Sequence, residues 1–325
     1  MRVLLRAALA LAVLAPAAVP AAGATLVVAS ESDPDSLDPA LAYAPESWQV
    51  LANAGEGLLG YRREAGAAGA EVAAALAAAP PAVSDGGRRL VFRLRDDARF
   101  GPPENRPVLP SDVKASLERL FVMGSPGRAL YRGIRGARAL EAAREGGIAG
   151  IVARDGADEV EFRLTRPDPT FLRVLALPFA FVVPRGTPAG DQSAAGVASA
   201  GPYRVASYAR GARIELERNR GYVAGAVGPA EGPQSIRVEL GVPSDEAVRR
   251  AGAGQVDYVL TRPTPEEADA AARSQAQVRR HLEGATYYFF MNTRRAPFDD
   301  VRVRRAVNLA LDRRALAAAF GGQAA

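Results

Sequence analysis

The chain has 325 residues, no cysteine, one histidine and a formal net charge of +5. The absence of cysteine excludes disulfides and thiol nucleophiles, and one histidine cannot supply the ligand cluster of a zinc site. Although the net charge is positive, Lys114 is the only lysine, and the arginines are interspersed with acidic residues, as in residues 213–218. The sequence therefore predicts no nucleic-acid partner.

The first residues are organised as an export signal. Arg2 and Arg6 precede an apolar run from Ala7 to Val19, and the small triplet Ala22-Gly23-Ala24 follows. The run is interrupted by prolines and is shorter than the roughly 20 residues of a membrane span, so we predict cleavage near Thr25, with an uncleaved anchor as the alternative. The mature protein is therefore expected to be periplasmic, extracellular or on the cell surface. Without a cysteine to accept a lipid, no lipid anchor is expected.

The elements that follow begin with a strand. Thr25 to Ser30 is apolar and β-branched, which predicts a buried strand, and turn residues follow at 33–39. The alanine-rich stretch 65–79 is interpreted as a loop leading into a short helix. Asp85-Gly86-Gly87 indicates a turn, after which alternating apolar residues at 90–94 predict a half-buried strand.

The next element has a helical period. Ser111 can cap a helix, because the apolar residues that follow fall on one face: Val113, Leu117, Leu120 and Phe121. Alternation at Val160, Phe162 and Leu164 then predicts a strand that stops at Arg166-Pro167.

The second half alternates strands with helices. Residues 203–208 and 213–218 flank a four-residue connection that contains glycine, which predicts an antiparallel hairpin. A strand at 236–240, a helix from Ser244 to near Gly254 and a strand at 256–260 follow. This alternation is typical of an α/β domain.

The last elements are an aromatic strand at 286–292 and a helix that Asp299 can cap. The helix has an apolar stripe made of Val303, Ala306, Val307, Ala310 and Leu311. An apolar face needs a partner, so we expect either a fragment of a longer protein or a helix that packs back in an unusual way.

No catalytic or metal-binding constellation is recognisable. The histidine, His281, stands beside Arg279 and Arg280 and is interpreted as a surface residue. Lys114 follows valine, which excludes a phosphate-binding loop of the glycine-lysine type. Asp33, Asp35 and Asp38 lack the spacing of a calcium loop. We predict no catalytic residue, no metal and no cofactor, although a pair of carboxylates for hydrolysis stays open because their separation cannot be read from sequence.

Several short motifs occur in a fixed order: Ser36-Leu37-Asp38-Pro39 with Glu56-Gly57-Leu58-Leu59, Phe92-Arg93-Leu94-Arg95 with 111–116, Gly201-Pro202-Tyr203, and Met291-Asn292-Thr293 leading to 297–306. Each alone is weak. Together they resemble the family 5 extracytoplasmic solute-binding proteins that serve peptide- and nickel-type ABC importers, from about Leu26 to the last residue.

The resemblance implies an α/β, periplasmic-binding-protein-like fold of two lobes (type II, the peptide-binding subclass with an extra subdomain), with the second lobe largely missing. The domains implied are a signal peptide at 1–24, the first part of lobe I at 25–55, an inserted subdomain at 56–184, the second part of lobe I at 185–290, and the hinge crossover with the start of lobe II at 291–325. In this family, solute is trapped by hinge closure between the lobes.

The same resemblance implies the ligand-facing residues. They are Tyr43, Ala44 and Pro45 after the Leu-Asp-Pro motif, Ser199 and Ala200 before Gly-Pro-Tyr, and Tyr287, Tyr288, Phe290 and Asn292 in the aromatic crossover strand. Core or hinge packing is the alternative for the aromatic residues. Family members are longer, and the acidic residue that holds a peptide's amino terminus belongs to the lobe missing here, so peptide specificity is not inherited.

The implied function is the solute-binding component of an ABC importer, a monomer that captures a small solute such as an oligopeptide and delivers it to an ABC permease in the membrane. Two alternatives stay open at this point: a secreted hydrolase that uses two carboxylates, and a surface interaction protein without a transport role.

Overall fold

The computed structural model describes residues 25–64, 66–225, 227–228, 231–274, 277–278 and 288–319, so the predicted signal peptide lies outside the described residues. The strands are β1 Thr25–Ser30, β2 Leu59–Tyr61, β3 Val72–Ala74, β4 Ala82–Ser84, β5 Arg89–Arg93, β6 Ile151–Arg154, β7 Glu159–Arg163, β8 Tyr203–Ala209, β9 Arg213–Arg218, β10 Ser235–Leu240 and β11 Tyr258–Val259. The α-helices are α1 Pro45–Ala54, α2 Pro110–Val122, α3 Ala137–Ala143, α4 Phe171–Leu175, α5 Ser244–Gly252, α6 Pro265–Arg273, α7 Val301–Ala310 and α8 Arg313–Ala319.

A five-stranded sheet has the order β11-β1-β10-β9-β8. The apolar strand β1 lies in the interior of this sheet, parallel to β10 on one side and to β11 on the other. Strands β9 and β8 continue the sheet in antiparallel pairs, and they form the predicted hairpin. Gly211 has a φ of +66°, which suits glycine in the tight connection of this hairpin.

Helices cover both faces of this sheet around β1. On one face, Val50 and Ala54 of α1 pack with Val28, Ile214 and Val238. On the other, Ala247 of α5 packs with Ala29, Val242 and Val256. The run of β1 is apolar at successive positions because both of its faces are covered.

A four-stranded antiparallel sheet has the order β4-β5-β7-β6. Its inner face packs against α2 in the largest core cluster of the described residues. Phe92, Phe162 and Phe171 meet edge to face at its centre, with ring centroids 5.8 and 5.6 Å apart. The alternation at 90–94 and 160–164 correctly predicts the buried apolar side chains, whereas Glu161 is buried as well although it lies between them in the alternation.

Some predicted elements are wrong. The stretch 65–79 is not a loop leading into a helix over its described residues. It forms a 3-10 turn at Gly66–Ala70 and then strand β3, which pairs with β2. Backbone pairing with β2 decides this conformation, and local composition does not contain that information. The strand predicted at 256–260 contains only the two residues of β11.

Both predicted helix caps are also displaced. Helix α2 begins at Pro110, before Ser111, and the Asp112 carboxylate accepts the Leu109 N–H at 2.8 Å. Proline already has the helical φ and needs no donor at this position, which explains the earlier start. Helix α7 is capped by Asp300, which accepts the Arg302 N–H at 2.8 Å, instead of by Asp299.

The apolar stripe of α7 is not covered in the described part of the chain. None of the α7 residues is buried. Leu309, which lies in the same helix but outside the stripe, is 87% exposed. No helix among the described residues has the length and apolar character needed to cross a membrane. The predicted domain boundaries at 56, 184 and 290 stay predictions, although the four-stranded sheet lies between residues 82 and 163.

Candidate ligand-binding site

The carboxyl ends of β1, β10 and β11 form one edge of the five-stranded sheet. In open α/β sheets, ligands bind outside the carboxyl ends of the strands, where the connections leave to opposite sides. Here β1 lies between its two parallel neighbours, and the segments after β1 and β11 meet, because the Glu31 N–H donates to Thr261 Oγ1 at 2.7 Å. This carboxyl edge of the sheet is therefore the candidate ligand-binding site.

The loop after β1 is fixed to the hairpin of β8 and β9. Asp33 accepts the Tyr208 hydroxyl at 2.6 Å and the Gly211 N–H at 2.8 Å. The guanidinium of Arg210 lies 5.5 Å from the centre of the Tyr208 ring. The predicted turn therefore holds two distant parts of the sheet together.

Asp35 organises the start of α1. Its carboxylate accepts the backbone N–H groups of Tyr43 at 3.0 Å and Ala44 at 3.2 Å, and the Ser47 hydroxyl at 2.5 Å. Burial alone would raise the pKa of Asp35, but the hydrogen bonds from Ser47, Ala44, Tyr43 and Ser36 lower it below its ordinary value. A charged Asp35 thus fixes the backbone of residues 43 and 44.

Tyr43 presents an aromatic surface to solvent at this edge. Its side chain is 66% exposed, and its ring lies 6.5 Å from that of the buried Phe179. Trp48 meets Phe179 edge to face at 5.5 Å and donates from its indole N–H to the Ala42 carbonyl at 2.9 Å. The exposed ring of Tyr43 therefore stands on a packed aromatic base.

A buried ion pair fastens the same loop to α2. Asp38 and Arg119 form two parallel bonds of 2.6 Å, and Arg119 also donates to the carbonyl oxygens of Pro188 and Gly190 at 2.9 and 2.8 Å. The Asp38 carboxylate accepts the Ala40 and Gln192 N–H groups as well. Three segments distant in sequence converge on this pair.

The model for bacterial extracellular solute-binding proteins, family 5 middle, matches residues 71–325. The chain belongs to this family. The resemblance stated from the sequence motifs is thereby confirmed.

Curated relatives of this family 5 chain include two peptide-binding proteins. It is 26% identical to the probable D,D-dipeptide-binding periplasmic protein of Escherichia coli, over 88% of this chain and 53% of the relative. It is 28% identical to di/tripeptide-binding protein 2 of Pseudomonas aeruginosa, over 97% of this chain and 59% of the relative. The chain spans little more than half the length of these relatives.

Solved structures of similar proteins confirm the predicted fold class. The OppA protein of Burkholderia pseudomallei superposes with a TM-score of 0.76 at 23% identity, over 91% of this chain and 57% of that one. The murein tripeptide binding protein of Escherichia coli gives a TM-score of 0.75 at 24% identity, over 90% and 57%. At these identities the likeness establishes the fold of the family 5 chain and nothing finer.

The sequence-predicted site residues do not all lie at this edge. Residues 43–45 are at the carboxyl edge, but Ser199 and Ala200 precede β8, which runs parallel to β1 through two antiparallel pairs. They therefore lie near the opposite edge, beside Ala54 at the far end of α1, which is about 15 Å long. Ser199 Oγ contacts the Ala54 carbonyl, donates to the Tyr203 carbonyl at 2.8 Å and accepts the Gly201 N–H at 2.9 Å.

Ser199 and Ala200 are also buried, at 5% and 2% exposure. Ser199 lines a cavity of about 20 Å³ together with Leu51 and Phe181, with room for about one water molecule. The structure therefore assigns the Ser199 side chain to internal bonds at a fixed bend. Its role at the ligand stays a prediction.

The predicted aromatic strand does not form over residues 288–292, and Tyr287 lies outside the described residues. Tyr288 and Phe290 are 74% and 88% exposed, with ring centroids 6.4 Å apart. Asn292 is exposed and accepts the Arg294 N–H at 3.1 Å. The bonds and ring contacts of the described residues do not connect this segment with Tyr43.

Glu56, which begins the Glu56-Gly57-Leu58-Leu59 motif, is a buried carboxyl group. It is 3% exposed and accepts the Tyr222 hydroxyl at 3.0 Å. Burial raises its pKa to about 7, against the smaller opposing effects of Tyr222, Arg63 and Arg95. No local sequence signal indicates this burial, because glutamate is normally exposed and the Tyr222 partner lies far away in the chain.

No group of three or more histidine, aspartate or glutamate residues that could hold a metal ion is present in the described ranges. Asp33, Asp35 and Asp38, considered above as calcium ligands, are occupied by hydrogen bonds to three different partners. These hydrogen bonds hold the loop after β1 against the hairpin, the start of α1 and helix α2.

Proposed function

We propose that the whole protein is an extracytoplasmic solute-binding protein that captures peptides and delivers them to an ABC permease. Family membership and relatives described as dipeptide- and tripeptide-binding proteins support a peptide ligand. The described residues would then contribute one wall of the peptide site.

The observation that carries this proposal is the exposed ring of Tyr43 at the carboxyl edge of the sheet. Its backbone is held by Asp35 and its ring stands on Phe179. A pre-ordered aromatic surface binds an apolar group with little loss of side-chain entropy. Such a surface suits the side chains of a short peptide.

The test is peptide affinity in the whole protein. A panel of short peptides is screened by ligand-induced shifts in melting temperature, and affinities are then measured by calorimetry. Tyr43→Ala should lower the affinity for the tightest-binding peptide by about tenfold, because a stacked aromatic contact is lost.

Val83→Ala is the matched control, since Val83 is a 56% exposed apolar side chain in the other sheet. It should leave peptide affinity unchanged. If no peptide in the panel shifts the melting temperature, peptides are removed as the ligand class. If Tyr43→Ala binds as tightly as the parent protein, the site lies elsewhere.

Transport of the peptide and its possible hydrolysis are measured in separate experiments. Deleting the gene should slow cellular uptake of the peptide that binds, whereas normal uptake would reject the transport role. Peptide incubated with the protein should be recovered intact. Cleaved peptide would favour the alternative of a secreted hydrolase.

A further inference from the structure

The outer face of the four-stranded sheet carries arginines in place of a second helical layer. Its inner face packs on α2, while the alternate residues of β5, β6 and β7 face outward. Arg89, Arg154 and Arg163 surround Glu161, and these three arginines are called the arginine cluster below. All three arginine side chains are between 39% and 46% exposed, whereas the Glu161 side chain is 0% exposed.

Glu161 holds the three guanidinium groups in place. Its oxygens accept from Arg89 at 2.9 Å, Arg154 at 2.9 Å and Arg163 at 2.7 Å. The hydrogen bonds, first from Arg89 and then from Arg163 and Arg154, lower the pKa of Glu161 to about 2 although burial would raise it. The carboxylate is therefore charged at any physiological pH and fixes the cluster.

Positive charge exceeds negative charge on this face. Arg89 and Arg163 are direct partners in the register of β5 and β7, an arrangement of like charges that is unfavourable by itself. Arg93 faces Glu159, which also lies 3.6 Å from Arg154. Four arginines and two glutamates thus occupy these positions of β5, β6 and β7, so further negative charge would be stabilised here.

The centre of the cluster suits a protein surface better than a lipid bilayer. Val91 and Val152 are the register partners of Glu161 on either side, so apolar area lies between the arginines. Arginine with apolar area is typical of protein interfaces. Each guanidinium carries five N–H donors, and Glu161 accepts one from each arginine. Arg89 also donates to Ser84 at 3.5 Å, and Arg154 lies 3.6 Å from Glu159. Further donors of the three groups can form bidentate bonds to carboxylates.

We propose that the arginine cluster is a docking surface for an acidic protein partner, whose aspartate or glutamate side chains bind the guanidinium groups above Val91 and Val152. This surface is independent of the peptide site, because it belongs to the sheet of residues 82–163 and not to the edge that carries Tyr43.

The probe for the test is a labelled octapeptide of alternating glutamate and valine, which places carboxylates on one side of an extended strand. Its binding to the whole protein is measured by fluorescence anisotropy at roughly 50 mM and roughly 200 mM salt. Arg89→Gln with Arg163→Gln should weaken binding by about tenfold.

The matched control is Arg213→Gln with Arg237→Gln, which removes the same charge from the five-stranded sheet, where both arginines lie near Glu215. Unchanged binding in this control supports the cluster. An equal loss of octapeptide binding in both double variants means that only net charge matters, and it overturns the proposal. Stronger binding of phosphatidylglycerol vesicles than of the octapeptide, lost in the Arg89 and Arg163 pair, would assign the surface to lipid and also overturn it.

Glu161→Gln separates ordered recognition from simple attraction. The change makes the protein more positive but releases the three arginines from their common partner. We expect weaker octapeptide binding with unchanged circular dichroism, whereas tighter binding would contradict the proposal. If this variant fails to fold, the two arginine pairs decide the question alone.

Discussion

At the scale of single residues, Glu56 is a carboxyl group whose charge the fold disfavours. It is 3% exposed, and its pKa is raised to about 7 chiefly by burial. A raised carboxyl pKa means that the folded state binds the proton more tightly than the unfolded state. Its contribution to the free energy of unfolding is complete below the ordinary pKa of 4.5 and is lost as the pH rises through about 7.

Glu56→Gln should therefore stabilise the protein at pH 8 but not at pH 5. The amide can still accept from Tyr222 and carries no charge to bury. We expect a gain of up to about 3 kcal/mol at the higher pH, from the size of the pKa shift. Urea unfolding at both pH values measures it.

Glu145→Gln serves as the comparison, since Glu145 is exposed. It should have the same small effect at both pH values. A Glu56→Gln gain that is equal at pH 5 and pH 8 would show that the carboxyl is already ionised in the folded protein at pH 5.

At the scale of elements, the start of α1 depends on a residue ten positions before it. Asp35 accepts the N–H groups of Tyr43 and Ala44, and the N-cap residue Ala44 has no side chain that can cap the helix. Asp35 therefore fixes the backbone that leads into α1 and satisfies the N–H of its N-cap residue.

Asp35→Ala should free these two amides. We expect a cost of about 1 kcal/mol in stability and faster hydrogen exchange at Tyr43 and Ala44. Peptide affinity should fall as well, because the Tyr43 ring loses its fixed backbone.

Thr264→Ala removes the side-chain cap of α6, where Thr264 accepts the Glu267 N–H at 3.3 Å. It should cost a similar amount of stability without changing exchange at Tyr43 and Ala44. Exchange at these amides that stays slow after Asp35→Ala would disprove the assigned role of Asp35.

At the scale of the whole molecule, the Asp38 and Arg119 pair joins the loop after β1, helix α2 and the segment at 188–192. Both side chains are almost fully buried, at 0% and 8% exposure. The carbonyl oxygens of Pro188 and Gly190 satisfy further guanidinium donors. Such a pair is costly to break, because the remaining partner keeps a buried charge.

Arg119→Met should lower the free energy of unfolding by about 3 to 5 kcal/mol. Arg204→Met, which removes a partly exposed partner of Glu217, should cost less than about 1 kcal/mol. The double variant Asp38→Asn with Arg119→Met should be more stable than the sum of the two single losses. Additive losses in this cycle would mean that the two side chains do not interact.

Much of the secondary structure was predictable from local patterns. Strand β1, the hairpin of β8 and β9, and the buried faces of β5 and β7 follow from alternation and turn residues. Strand β3 and the caps of α2 and α7 do not follow from these patterns, because pairing partners and exact cap geometry depend on more than the neighbouring residues.

The candidate site was only partly accessible from sequence. Tyr43, Ala44 and Pro45 lie at the carboxyl edge, because Asp35 in the loop after β1 accepts the Tyr43 and Ala44 amides. Ser199 and Ala200 lie near the opposite edge and are buried, because the direction of β8 follows from its pairing with β9 and not from its own residues.

By itself the sequence determined the local alternation of buried and exposed positions and the ordered motifs that identify the family, since both are written in neighbouring residues. Only the tertiary structure decided that Asp35 holds the backbone before α1, that Asp38 meets Arg119, and that Glu161 is buried beneath three arginines. The physical reason is that charge pairing and burial depend on side chains brought together across many residues, and a one-dimensional pattern does not specify which of many arginines will meet which carboxylate.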